Sequence, residues 1–391
     1  MPNPTIPADE FPRRWAQVQT VMADRGLDLL IAYADDRAVF GPAHARWLAN
    51  FPVHFEPVCL LLRPEGSPIL LCGPESDEYA RLAGQVRDVR VLREFTHPDE
   101  DYPYSTIQGL AEVAQEVVGD LRAVRRVGLA GRGLMSADLY AALRAALPDA
   151  DWVDAEAELC ALRAVKSPAE IAVIRRAYHI AEIGLQAAVD AIAPGVTERA
   201  IAAEAEAAMR RAGAEGTGID TIVASGPNSR PILARSTFRR VQSGEIVLLT
   251  VAPRYEGYHA AIGRPVLVGD VAGEIIRARD AAVDAQHAAF EALRSGAPGR
   301  DAEAAGRRVV GQSGLESYFL YSGVHSVGVI EFEPPIFGPS SPAVLQPGMV
   351  ISIDIPLFNA PWGGLRIEDG FLITDAGAER LNHTPYRLDR T

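Results

Sequence analysis

The chain has 391 residues, of which 48% are hydrophobic and 23% charged, with a formal net charge of −13. This is longer than one hydrophobic core usually organises and apolar enough to close more than one, so two domains are expected and extended disorder is excluded. The acidic balance repels phosphate backbones and anionic lipid surfaces, which argues against nucleic-acid and membrane partners and for a small-molecule substrate.

Residues 1–15 carry prolines and acidic residues where a secretory leader needs a basic start and an apolar core, and no run approaches about 18 apolar residues. A cytoplasmic protein is expected. Short apolar runs at 28–34, 58–62, 69–72 and 127–130, bounded by Gly, Pro or charge, are predicted strands. Between them the i, i+3, i+4 spacing predicts helices over 11–25, 106–118 and 136–146, giving an N-terminal α/β domain over 1–160. Cys59, Cys72 and Cys160 are odd in number, widely spaced and lack a C-x-x-C pair, so buried reduced thiols are expected rather than disulfides or a zinc site.

Near residue 162 the pattern changes. Ser167, Pro168 and Glu170 form a capping box with proline at the first helical position, opening a helix predicted to reach about 191. Thr197 caps a second helix that ends at Gly213. Strands are predicted over 219–224, 245–252 and 257–268, the last returning as a hairpin partner; helices over 277–293 and 301–310 follow, then strands over 349–356 and 365–374. The fold class is α+β, with a domain over 161–391 whose helices pack on one curved antiparallel sheet.

The stretch 162–170, Leu-Arg-Ala-Val-Lys-Ser-Pro-Ala-Glu, resembles the domain junction of the creatinase/prolidase (M24) family. Further landmarks are Ser225-Gly226-Pro227-Asn228, His325-Ser326-Val327-Gly328, Glu333-Pro334-Pro335, Gln346-Pro347-Gly348 and Arg366-Ile367-Glu368-Asp369. The resemblance implies a creatinase-like N-terminal domain followed by a pita-bread domain, and a homodimer. Peptidases of that family hold two divalent metals with two aspartates, a histidine and two glutamates. By this resemblance the aspartate positions fall on Thr250 and Ala261, the histidine on His325, and the glutamates on Asp354 and Glu368. The histidine that polarises the scissile carbonyl falls on Phe332, and a second proton-handling histidine on Leu233.

A threonine and an alanine cannot supply the lost carboxylate charge that a dinuclear centre needs. The expectation is therefore a protein without metal or other cofactor, hydrolysing a non-peptide C–N bond in a small nitrogen-rich molecule by general acid/base catalysis, as the metal-free members creatinase and ectoine hydrolase do. His325, after a turn and before an apolar run, is the first candidate acid or base. Strand alternation puts His259 on the face of Ala261, roughly 7 Å away, as a candidate base. Asp354 and Glu368 are expected to converge as an unequal carboxylate pair. Arg366 and Glu333 are expected at the substrate, or in ion pairs and local caps. In the N-terminal domain, Glu56, with His54 and Phe55, falls where creatinase-like proteins place a carboxylate-binding arginine. That inverted charge favours a cationic substrate bearing an amine or amidine. Three alternatives stand beside this reading: an Xaa-Pro peptidase with a single metal on His325, Asp354 and Glu368; a catalytically silent binding module; and a lyase or cyclase using the same residues.

Overall fold

The structure, a computed structural model, describes residues 3–37 and 39–390. It contains two compact units, one of Ile6–Leu162 and one that begins at Arg163.

The first unit is built on a seven-stranded mixed sheet. Its spatial order is Ile107–Gln108, Asp88–Leu92, Ile69–Cys72, Val58–Leu62, Leu29–Ala34, Arg126–Ala130 and Asp151–Asp154. Leu29–Ala34 is buried at every position, as a central strand covered on both faces must be. On one face Leu29, Ile31 and Leu71 share a cluster with Val113 and Val117 of the Leu110–Val118 helix and Leu143 of the Ala137–Ala146 helix. The helix expected from residue 106 starts at Leu110 instead. Gly109, a poor helix former, is its cap, and the two residues before it pair with Val91 and Leu92 as an edge strand. All three cysteines are free and buried.

In the second unit the Ser167–Glu170 capping box opens the Pro168–Ala191 helix, each side chain bonding the other's backbone N–H. The helix Glu198–Arg211 follows, capped by Thr197. The nine-stranded sheet runs Glu333–Ile336, Val324–Ser326, Val350–Ala360, Gly363–Thr374, Ile262–Val268, Glu245–Val251 and Ile222–Ser225, and Gly377–Arg380 and Leu388–Arg390 are attached off this path. Every neighbour pair along the main path is antiparallel. The Gly273–Ala292 and Arg300–Gln312 helices close one core over this sheet, where Ala278, Ala282, Ala285 and Ala302 meet Ile353, Ile355 and Ile367. Small residues on the helices let them lie close to the branched residues of the strands.

Within this sheet the predicted hairpin over 257–268 is interrupted. Tyr258–His259 belongs to a separate three-stranded sheet, and Ala260 and Ala261 form no regular strand before Ile262.

Candidate active site

The register brings the central candidates into one row. Asp354 pairs with Glu368, Glu368 with Gly263, and Gly263 with Thr250. His325 pairs with Ser352, two residues from Asp354. Directly opposed residues share a face and the side-chain period is two, so His325, Ser352, Asp354, Arg366, Glu368 and Thr250 all project from the same face. Gly263 keeps that face open. A Cβ there would lie 2.7 Å from Arg366 Cγ and Cδ and 3.0 Å from Glu368 Cβ, so this close approach requires glycine.

Glu331 joins the group from the segment after His325. One ligand atom each from His325, Glu331 and Glu368 lie within 4.8 Å of one another, and all three residues are buried. The His325 ring donates from Nδ1 to the Ser326 carbonyl at 2.9 Å, which leaves Nε2 to act as the ligand. Ser352 donates to Glu368 Oε1 at 3.0 Å, while Glu368 Oε2 has no hydrogen-bond partner. Asp354 is engaged differently. Arg366 Nε lies 3.3 Å from its Oδ2, and the Tyr321 hydroxyl donates to the same oxygen. Arg366 also donates to Tyr321 Oη. Phe332 lies against the His325 ring, with centroids 4.3 Å apart.

Burial shapes the titration of these groups. It pushes the Glu331 carboxyl up to about 8, with Glu368 beside it adding repulsion, and it raises Glu368 as well, against the opposing pull of Arg366. Asp354 is lifted to about 6 by burial, again against Arg366. Burial pushes His325 down to about 4, so at neutral pH it is an uncharged imidazole. At neutral pH His325, expected as an acid or base, thus presents an uncharged imidazole whose tautomer is fixed by the Ser326 carbonyl.

Other expected site residues stand outside this three-residue cluster. His259 is buried, and its ring Nδ1 and backbone N–H both donate to the Gly328 carbonyl, at 3.2 and 2.9 Å. Burial, then Arg254, push its pKa down to about 3, too weak for a base at neutral pH. The strand break at Ala260 and Ala261 removes the alternation on which its assignment rested. Glu333 is fully buried and accepts from Arg163 Nε on Oε1 at 2.8 Å and from Lys166 Nζ on Oε2 at 3.2 Å, so both of its oxygens are engaged within the second unit. Glu56 is not a solvated loop carboxylate. It is buried and accepts the backbone N–H of Glu75 and Ser76. Phe55 and His54 are exposed in the same loop, Phe55 at φ +66°.

Sequence reasoning missed Glu331, Tyr321 and Ser352. Ser352 was within reach, being two residues before Asp354 on one strand. Glu331 was not, because residues 328–332 are bends and no periodicity assigns their faces.

Residues 172–375 match the model of metallopeptidase family M24, and residues 14–165 that of the creatinase/prolidase N-terminal domain. The chain belongs to family M24. The uncharacterized peptidase YqhT of Bacillus subtilis is 31% identical over 68% of this M24 chain and 75% of its own length. The Xaa-Pro dipeptidase of Pyrococcus furiosus is 34% identical over 58% of the chain and 65% of its own length. The crystal structure of the prolidase from Pyrococcus horikoshii superposes with a TM-score of 0.83 at 23% identity, covering 95% of this chain and 99% of that one, and shows the shared fold. This chain is thus a hydrolase of a peptidase family. The expectation of a metal-independent enzyme on a non-peptide C–N bond is overturned by these peptidase relatives and by the imidazole–carboxylate cluster. It weighed the carboxylates lost at Thr250 and Ala261 without the one gained at Glu331.

The donor set fits one divalent ion. Glu368 Oε2 and Asp354 Oδ1 are buried without hydrogen-bond partners, and the raised carboxyl groups are those a cation would relieve. It does not fit two, because Thr250 and Ala261 offer no carboxylate on the far side of the row.

Proposed function

We propose that this M24 protein is a metal-dependent dipeptidase of the Xaa-Pro class, working with a single divalent cation held by His325, Glu331 and Glu368. The observation that carries the reading is the convergence of those three ligand atoms within 4.8 Å on the open face of the sheet. Its Xaa-Pro dipeptidase relatives suggest the substrate class.

When bound, a cation of this kind polarises a peptide carbonyl and acidifies a water. The protein residues do the rest. The Ser326 carbonyl fixes the His325 tautomer, and Ser352 orients Glu368, so the ligand atoms are held before substrate arrives. Arg366 keeps a permanent positive charge beside Asp354 and Glu368, offsetting part of their repulsion. Burial holds the Tyr321 phenol well above the usual range, so the hydroxyl stays protonated; donating to Asp354 Oδ2 while accepting from Arg366, it holds that carboxylate in place beside the site.

The test is reconstitution. Chelator-stripped protein should show no turnover of Xaa-Pro dipeptides, and addition of Mn²⁺, Co²⁺ or Zn²⁺ should restore it, with activity saturating as one cation fills this site. Full turnover in chelator, or none with any of these cations, would overturn the reading.

A further inference from the structure

We propose a second divalent-cation site, of the zinc or cobalt class, in the first unit at Glu56, Glu75 and His97. The three residues come from loops at one end of three adjacent strands. Glu56 precedes Val58–Leu62, Glu75 follows Ile69–Cys72, and His97 follows Asp88–Leu92. This is the carboxyl end of the parallel strands, where open α/β sheets commonly bind ligands. One ligand atom of each residue lies within 4.8 Å of the others.

The cluster is built rather than incidental. Glu56 is 1% exposed, and its two oxygens are fixed by the amides of Glu75 and Ser76, at 3.2 and 2.8 Å. It fits only because Gly73 has no side chain, since a Cβ there would fall 2.2 Å from the Glu56 carboxyl carbon. The His97 ring is held by Phe55, with centroids 4.7 Å apart, and its backbone N–H donates to Tyr102 Oη at 3.2 Å. A second, independent observation points to a ligand: His97 is partly buried, and its Nε2 atom lies out of solvent without a hydrogen-bond partner, beside the exposed Glu75. An orphaned buried nitrogen is costly, and a cation satisfies it. Among the described residues neither carboxylate has a Lys or Arg partner to offset its charge. One imidazole with two carboxylates selects Zn²⁺ or Co²⁺ over Mg²⁺ or Ca²⁺ and leaves coordination positions for water.

Calorimetric titration of the chelator-stripped full chain with Zn²⁺ tests this separately from the peptidase site. His97→Ala and Glu75→Ala, both outside the catalytic cluster, should each remove one equivalent per chain and leave Mn²⁺-restored dipeptidase activity within about twofold. Glu331→Gln should keep the equivalent assigned here, whatever becomes of activity. Zn²⁺ stoichiometry and affinity unchanged in both His97→Ala and Glu75→Ala would overturn the proposal.

Discussion

Arg366 Nε stands 3.3 Å from Asp354 Oδ2, whereas its Nη1 is 4.0 Å from Glu368 Oε2. One guanidinium thus claims Asp354 and leaves Glu368 freer to bind a cation. Asp354→Asn is therefore expected to retain tight metal in the catalytic site, and Glu331→Gln to weaken it by about tenfold or more, consistent with the loss of a carboxylate ligand. Competition titrations with a chromophoric chelator read both. The reverse ranking would make Asp354 the ligand and Glu331 a bystander.

His325→Ala should lower kcat/KM on an Xaa-Pro dipeptide by about a thousandfold or more and remove metal from this site, because it deletes the only imidazole in the set. The fold should survive, with a stability cost of about 1–3 kcal/mol typical of a buried truncation. Circular dichroism with activity across a metal titration checks it. Retained turnover at saturating metal would remove His325 from the mechanism.

The carboxyl shifts make a signed pH prediction for the chelator-stripped protein. Glu331 is raised from 4.5 to about 8 and Asp354 from 3.8 to about 6, so the stability each contributes is fully present below its unfolded value and is lost as pH rises through its folded value. His325 and His259 are depressed, and their contribution is lost as pH falls below about 6.5. Between pH 6 and 9 the melting temperature should fall by several degrees, on the order of 2 kcal/mol. Either a divalent cation or Glu331→Gln should flatten that slope. A slope unchanged in Glu331→Gln would show that Glu331 ionises freely.

Strands with turn signals at both ends, such as Val58–Leu62 and Ile69–Cys72, were legible in the sequence, as was the Ser167–Glu170 cap, because local chemistry alone sets them. The α+β class and the family followed from the same spacing and motifs. The site was legible only along regular strands. Asp354, Glu368 and Arg366 sit where alternation puts them, but the break at Ala260 and Ala261 turned His259 out of the expected pattern, and the bends at 328–332 brought in Glu331 where no period applies. The Glu331 carboxylate, supplied by an irregular segment, was the member of the cluster that no period could place.

Glu333 offers a test of structure against site. Its carboxylate is shared by Arg163 and Lys166, all three essentially excluded from solvent. Removing one member of a buried charge network costs more than the pair contributes, because the remaining charges keep their desolvation penalty. Glu333→Ala should therefore destabilise the protein by about 3–5 kcal/mol in denaturant unfolding. Glu333→Gln, which keeps the shape and one acceptor, should cost less. Turnover per folded molecule at saturating metal should stay near wild type in both, since both Glu333 oxygens are engaged by Arg163 and Lys166 and Glu333 is not among the three clustered ligands. A normal melting curve with lost turnover would instead return Glu333 to the substrate.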